Sequence, residues 1–325
     1  MEYIQLTHTD LRVSRMSIGT AHYGGMVPVE DCKAQLDYYF DHGGNTINTA
    51  HSFCDWLPGP KSQSELIIGQ WIKERGTRDK IILGTMGAHP LFDGKDLPRV
   101  SPDAVKEDLD GSLRALQTNY IDLYFLQRDD IHRSVEELID CLDEQVKAGK
   151  IRWYGCSNWT LARIRAARAY ADKKGSPGFI CNQLMWALAD IRAEQVSNKN
   201  WVLMDGETYG YHTQTQLSAM AFTGLSKGYF IRRSRGTAIP PKIEATYQCP
   251  ENDRIFAKAE AFSRETGLSV ADLAYLYFNV QPFPAVSVTS FSSQGQLIEA
   301  MRHSEGVKTD LAFLKEFDEI KKYRV

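Results

Sequence analysis

Apolar runs of strand length alternate with longer stretches of helical period along most of the 325 residues, the pattern produced by βαβ units built around a parallel sheet. Eight runs read as strands, at 16–20, 46–50, 81–86, 121–127, 151–157, 179–184, 220–223 and 285–290. The helical stretches between them carry start signals: Ser101-Pro102-Asp103 offers an N-cap, a first-turn proline and a first-turn acid ahead of Val105, Leu109 and Leu113. Eight repeated units predict a closed (β/α)8 barrel of the TIM type. An open doubly wound sheet is the runner-up. It normally shows a glycine-rich phosphate turn after its first strand, and Gly19-Thr20-Ala21-His22-Tyr23-Gly24-Gly25 lacks the G-x-G-x-x-G spacing.

Ahead of the first barrel strand, residues 3–13 alternate apolar and polar on both sides of a Thr-Asp turn and predict a β-hairpin plugging the barrel bottom. Residues 189–211 and 231–250 interrupt the repeat with polar residues and turn formers after the sixth and seventh strands, the positions where barrels build substrate loops. No linker divides the chain, which reads as a single domain over 1–325.

Composition narrows the functional classes. With 38 basic and 41 acidic residues the formal net charge is -3, leaving no basic surplus for nucleic acid and no polybasic tract for a membrane surface. The first residues carry neither a basic region nor an apolar stretch, and no run approaches the roughly 18 apolar residues of a membrane span, so the reading is cytoplasmic. Six cysteines, Cys32, Cys54, Cys141, Cys156, Cys181 and Cys249, lack a C-x-x-C pair and suggest reduced thiols, with no metal site and no disulfide framework. The expected partner is a small molecule; the oligomeric state is not readable.

From Ser14-Arg15-Met16-Ser17-Ile18-Gly19-Thr20 to Gln296-Leu297-Ile298-Glu299 the chain resembles the aldo-keto reductases. Gly44-Asn45-Thr46-Ile47-Asn48-Thr49-Ala50 looks like that family's second strand, Gly155-Cys156-Ser157-Asn158-Trp159 like its Gly-x-Ser-Asn signature, and Asn182-Gln183 like the pair on strand six. Asp55-Trp56-Leu57-Pro58-Gly59, Arg128-Asp129-Asp130 and the run Ala221-Phe222-Thr223-Gly224-Leu225-Ser226-Lys227-Gly228-Tyr229-Phe230 are similar to a bacterial branch. The resemblance implies a nicotinamide dinucleotide lying across the C-terminal mouth of the barrel. Ser157, Asn158 and Gln183 match residues that hold the carboxamide, and Phe222 matches the aromatic on which the nicotinamide stacks. Lys227 lies in the matched run. At the adenosine end Ser290, Ser292 and Gln296 stand where a basic side chain commonly meets a 2'-phosphate, and Glu299 matches a residue that meets adenine. Without that cation the resemblance favours NAD over NADP, and the alternative of no cofactor stays open. The run Arg232-Arg233-Ser234-Arg235 is a second possible phosphate contact.

The same resemblance exposes a departure. The family's Asp, Tyr, Lys and His tetrad falls on Asn48, Phe53, Met86 and Gln127. Replacing aspartate and lysine together leaves no unpaired buried charge, so the changes are coherent. Other acids, bases or anchors proposed for the same mouth are His51, Asp129, Asp130, His89 and Arg128, with Asp55, Trp56 and Trp159 as substrate contacts, Trp186 as a further stacking surface and Cys54 as a remote nucleophile candidate. Three functions remain: an oxidoreductase acting on a carbohydrate-like or carbonyl substrate without the usual tetrad; a lyase, isomerase or elimination enzyme on the same barrel; or a cofactor-binding protein without turnover.

Overall fold

The computed structural model describes residues 1–93, 97–303 and 312–321. Strands β1 (Tyr3–Gln5) and β2 (Arg12–Ser14) form an antiparallel hairpin, with Tyr3 opposite Ser14 and Gln5 opposite Arg12. The next strands are β3 (Met16–Gly19), β4 (Thr46–Asn48), β5 (Ile82–Gly87), β6 (Ile121–Leu126), β7 (Ile151–Ser157), β8 (Cys181–Met185), β9 (Ser218–Phe222) and β10 (Ala285–Thr289). They pair in parallel and in chain order, and β10 returns to β3 to close the barrel. The open sheet is thereby excluded.

Helices occupy the outside: α1 (Val29–Asp41), α2 (Gln63–Arg75), α3 (Pro102–Ala115), α4 (Val135–Lys147), α5 (Leu161–Lys174), α6 (Gly206–Thr215), α7 (Tyr229–Ser234), α8 (Pro241–Tyr247), α9 (Pro250–Thr266), α10 (Val270–Leu276) and α11 (Gln294–His303). The expected start of α3 is realised, since the Ser101 hydroxyl accepts from the Ala104 amide at 3.2 Å ahead of a first-turn proline. The stretch 231–250 folds mostly as α7 and α8, whereas 189–205 stays irregular apart from a short 3-10 turn at Ala193–Gln195.

Strand parity divides the core. Ile18, Ile47, Leu83 and Leu126 pack outward with Leu36, Ile68, Leu109 and Leu138 of the helices, while Met86, Leu123, Phe125, Met220 and Val286 fill the lumen. The hairpin closes the N-terminal end by adding Leu6, Leu11 and Val13 to the lumen cluster. Polar contacts fix it there: the Thr7 amide donates to Ser218 Oγ at 2.9 Å, and Trp153 Nε1 to Asp10 Oδ1 at 2.9 Å. Beside it, buried Asp122 accepts from the Leu83 amide at 3.0 Å and pairs with Arg78 at 2.9 Å and Arg152 at 2.6 Å, so its charge is fully compensated.

Close approach of α2 to the end of α3 needs a glycine. A Cβ added at Gly69 would lie 2.3 Å from the Ala115 carbonyl oxygen and 2.7 Å from the Leu116 carbonyl carbon, both backbone atoms that no rotamer moves. Gly69→Ala is therefore expected to destabilise the fold by about 1–3 kcal/mol through overpacking. A lowered urea midpoint checks this, and an unchanged midpoint refutes the close approach.

Candidate active site

The parity that turns Ile18, Ile47, Leu83 and Leu126 toward the helices turns Gly19, Asn48, Met86 and Gln127 toward the lumen. On the following strands Ser157, Gln183 and Phe222 have the same parity, with Ser157 opposite Gln183 in the register. All stand toward the C-terminal ends of the strands, with Gln183 two residues inside the end of β8. Phe53 reaches the mouth from the loop after β4 and packs against the lumen cluster that contains Met86. The Ser52 hydroxyl donates to Gln127 Oε1 at 3.0 Å, tying that loop to the end of β6. Asn48, Phe53, Met86 and Gln127 thus gather at one mouth.

The resulting ring, Asn48, Phe53, Met86, Gln127, Ser157, Gln183 and Phe222, holds no ionisable side chain. It does hold unused donors. Asn48 Nδ2 and Gln183 Nε2 are buried without a hydrogen-bond partner among the described residues, a condition that costs about 1–3 kcal/mol per group unless an acceptor arrives. Asn48 lies between two side-chain-free neighbours, Gly19 and Gly84, in the register.

Asn158, at φ 60°, spends its amide inside the protein. Its Oδ1 accepts from the Val202 amide at 3.1 Å, and its Nδ2 donates to Ser157 Oγ at 3.0 Å and toward the Gln127 carbonyl at 3.4 Å. This fastens residues 201–204 over the end of β7. The same segment is joined to β8, because the Met185 amide donates to the Val202 carbonyl at 2.9 Å and the Met204 amide to the Met185 carbonyl at 3.1 Å. Trp159 is 1% exposed, its indole donates to the Arg128 carbonyl at 2.9 Å, and Phe179 meets its ring edge-on. It offers no face to a ligand, contrary to the expectation of a substrate contact. Trp186, also 1% exposed, is enclosed by Tyr277 and Phe278 and likewise supplies no stacking surface. Trp56, at 47% exposure, is the tryptophan of these three that faces solvent at the mouth.

The charged candidates are mostly committed elsewhere. Asp129 forms a two-pronged pair with Arg163 of α5, both contacts at 2.9 Å, which ties the carboxylate to that helix. Arg128 donates to the Gln127 carbonyl at 2.9 Å. Asp130 Oδ1 accepts from the His132 amide at 3.0 Å, and Asp55 Oδ1 accepts from the Ser62 amide at 2.7 Å, holding the loop that leads into α2. Cys54 is fully buried at φ 69°, with its thiol directed at the Tyr23 carbonyl; burial, and then the Asp55 charge, raise its pKa, the reverse of a nucleophile's requirement.

His51 lies on the outer side of the barrel. Its Nδ1 is 3.0 Å from Glu65 Oε2 of α2 and 3.1 Å from Ser62 Oγ, and its ring abuts Gly111 of α3. Glu65 is fully buried, and its other oxygen accepts from Thr85, which points outward from β5. The geometry therefore turns His51 away from the lumen, and its expected role as a base at the mouth has no contact there to support it. His89 stacks on Phe92 with centroids 5.0 Å apart, and its Nδ1 is 2.7 Å from the Pro90 carbonyl.

Across the mouth, half-buried Phe222 meets Trp201 edge-on at 5.5 Å, and the Lys227 ammonium sits 5.4 Å from the Trp201 ring centre. Ser290 stands beside Gly19, where an added Cβ would come within 2.8 Å of its hydroxyl. Gln296 turns back to accept from the Ser292 amide at 3.0 Å, and Glu299 pairs with Arg235. Arg233 pairs with Asp253 at 2.7 Å, and Arg232 donates to the Ala238 carbonyl at 3.0 Å.

Three polar residues around the strand ends escaped the sequence reading. Ser52, which orients Gln127, and Glu65, which holds His51, sit in ordinary polar surroundings that mark neither. His22, in the loop after β3, is half-buried with its pKa lowered by that burial; as the third residue beyond Gly19 it was visible only as part of a loop. Among the described residues, Asp190, Cys249 and Glu251 place possible ligand atoms within 4.8 Å of one another. Burial raises the Cys249 pKa.

A family model described as Aldo/keto reductase family matches residues 15–322. The chain is 31% identical to the uncharacterized oxidoreductase YrpG of Bacillus subtilis over 199 residues, 60% of each chain. It is 27% identical to Protein tas of Escherichia coli over 329 aligned positions, 91% of each chain. Norsolorinic acid reductase B of Dothistroma septosporum shares 30% identity over 58% of this chain and 50% of its own length. No helix among the described residues is long and apolar enough to cross a membrane.

The His51–Glu65 contact has a pH signature. Burial pulls the imidazole pKa down, but the hydrogen bond and charge of Glu65, with Asp108 and Asp55, outweigh it and leave the pKa above its ordinary value. A raised folded-state pKa contributes stability that is fully present below about pH 6.5, the unfolded value, and fades as pH rises through the folded one. The wild type's advantage over His51→Gln in urea midpoint is thus expected to be larger at pH 5.5 than at pH 9. An advantage independent of pH refutes the charged pairing.

Proposed function

The chain belongs to the aldo/keto reductase family, and on that premise we propose that it is a nicotinamide-linked oxidoreductase whose mouth works without an ionisable tetrad. The observation that carries the cofactor reading is Gln183 Nε2, a buried donor with no partner among the described residues. A nicotinamide carboxamide offers the acceptor that this donor lacks. Ser157 accepts from Asn158 and so keeps its own hydroxyl proton to donate. Phe222 supplies the ring face, while Asn158 acts through the 201–204 segment that it fastens. The family resemblance and the reductase names of several relatives support reduction chemistry on one barrel domain spanning the chain.

The bound nicotinamide would supply a hydride; the chain's contribution is to orient the carbonyl and meet the charge that grows on its oxygen. In the family's pattern a tyrosine hydroxyl, tuned by lysine and aspartate, gives that proton. Here Phe53 has none to give, Met86 carries no charge, and Asn48 is a neutral donor. Gln127, held by Ser52, presents an amide in place of an imidazole. Loss of a positioned acid removes about a hundredfold to ten-thousandfold, or roughly 3 to 5 kcal/mol of barrier stabilisation. The proton then comes from water, and the amides of Gln127 and Asn48 act as neutral hydrogen-bond donors. The same uncharged ring favours a second reading, a protein that binds nicotinamide without turnover.

At the adenosine end we propose NAD over NADP. Ser290 and Ser292 bring no cation, and Arg235 is paired with Glu299, so a 2'-phosphate has to displace an existing ion pair. Lys227 is directed at Trp201 and lies on the cofactor side.

Calorimetry with NADH is expected to show binding, weakened about twofold to tenfold by Gln183→Ala through loss of one hydrogen bond worth about 0.5 to 1.5 kcal/mol. Asn158→Ala is expected to weaken it as well, by loosening the 201–204 segment. Absence of binding to either dinucleotide overturns the cofactor reading, and tighter binding of NADPH overturns the NAD preference.

Reduction of a generic aldehyde such as 4-nitrobenzaldehyde is expected near background. Phe53→Tyr alone should recover little, because Met86 cannot depress a phenol's pKa; the joint change Asn48→Asp, Phe53→Tyr, Met86→Lys and Gln127→His has a physical reason to restore turnover, since such groups act as a unit. Wild-type turnover of about 1 per second or more sinks the proposal that the usual acid has been abandoned.

A further inference from the structure

Two adjacent residues leave the loop after β4 in opposite directions. His51 points to the outer wall, and Ser52 to the lumen side, where its hydroxyl donates to Gln127 Oε1 at 3.0 Å. That contact decides which end of the Gln127 amide is tied down. The oxygen is taken up by Ser52, and Nε2 is the donor the residue has left to offer.

Behind the wall the same loop is held by a buried carboxylate. Glu65 of α2 is fully buried; its Oε2 lies 3.0 Å from His51 Nδ1, and its Oε1 accepts from the Thr85 hydroxyl at 2.6 Å. Ser62 Oγ stands 3.1 Å and Ser112 Oγ 3.4 Å from the same imidazole nitrogen, and the ring rests on Gly111 of α3. Backbone bonds carry these anchors to the mouth: the His51 amide donates to the Met86 carbonyl at 2.9 Å, and the Gln127 amide to the Gly87 carbonyl at 3.0 Å. Through His51 and Thr85, Glu65 grips the residues that directly precede Ser52 and Met86 in the chain.

A carboxylate with no exposed surface needs a cation against it, because neutral hydrogen-bond donors offset only part of its desolvation. Among the described residues His51 is the cation within ion-pair distance of Glu65. The charged groups that face the imidazole are Glu65 of α2, Asp55 of its own loop and Asp108 of α3, and Asp108 already holds Arg99 at 2.6 Å. Deprotonation of the imidazole keeps a hydrogen bond to Glu65 but removes the charge that compensates it.

Resting on the reading of Gln127 as a neutral donor to a substrate carbonyl, we infer that His51 and Glu65 are positioning residues. Their ion pair on the outer wall sets Ser52, and through Ser52 the direction in which the Gln127 amide points. The mouth is aligned while His51 is protonated and loosens once it is not. Burial pulls the imidazole pKa down, but Glu65, with Asp108 and Asp55, outweighs it and raises the value, so the change falls above about pH 6.5, the ordinary midpoint.

Nuclear magnetic resonance on protein isotope-labelled at the glutamine side-chain amides and the histidine rings reads this arrangement without any ligand. The Gln127 signal is identified by its loss in Gln127→Leu. Between pH 5.5 and pH 9 that signal is expected to shift with a single midpoint shared with the His51 ring, while the Gln183 amide on β8 stays in place. Glu65→Gln is expected to lower both midpoints together. Ser52→Ala is expected to remove the Gln127 shift while His51 still titrates, and Ser52→Thr, which keeps the hydroxyl, to retain it. A Gln127 signal that stays fixed through the His51 midpoint in the wild type overturns the inference, and so does a shift that survives Ser52→Ala at full size. The wild-type titration decides by itself if Glu65→Gln does not fold. The oxidoreductase reading fails separately: absence of dinucleotide binding by calorimetry, beside an intact Gln127 titration, removes the cofactor and keeps the positioning.

Discussion

Closing eight parallel strands on themselves gives every second side chain one destination, a lumen shut off below by the hairpin and open only at the C-terminal end. What happens at the mouth depends on this constraint. A charge placed at Asn48 or Met86 enters a space lined by Ile82, Leu123 and Phe125, where it must be paired or become very costly. Neutral occupants at both positions avoid that cost, an amide at Asn48 and a thioether at Met86. Phe53 follows, because a phenol without a cation beside it keeps a pKa near 10 and gains little over a phenyl ring. Gln127 keeps a polar atom at its site and is held by Ser52, so the four residues form one consistent neutral set.

Neutrality inside has a counterpart in the surrounding shell. Carboxylates near the mouth hold structure: Asp129 grips α5 through Arg163, Asp55 fixes the entry to α2, and Glu65 anchors His51 and Thr85 behind β5. Electrostatic order is concentrated in the walls, and the ring at the strand ends is left to amides, one hydroxyl, a thioether and two phenyl rings.

The barrel and its strand ends were legible because period-two runs and helix caps are local signals. Closure, hairpin placement and the inward parity of Asn48, Met86, Gln127 and Gln183 all follow from them. What stayed hidden was direction and partnership. His51 lies three residues past a strand end, where one turn of the loop decides between lumen and outer wall, and its partner Glu65 is set by helix packing. Asp129 looked like a free base because its arginine lies 34 residues away. Trp159 and Trp186 read as stacking surfaces because an indole at a strand end looks the same in sequence whether it faces solvent or core. Orphaned amide donors are invisible to any local pattern, since being unpartnered is a property of the neighbours.

The segment 201–204 bears on rigidity. It is stitched to β8 by two backbone hydrogen bonds and to the end of β7 by the Asn158 side chain, so it behaves as an extra rung on the barrel. The rung carries Trp201, whose ring meets Phe222 edge-on and lies beside the Lys227 ammonium. A single amide side chain at the end of β7 therefore helps to set where an aromatic surface stands two strands along the wall, a coupling relayed by the backbone of the rung.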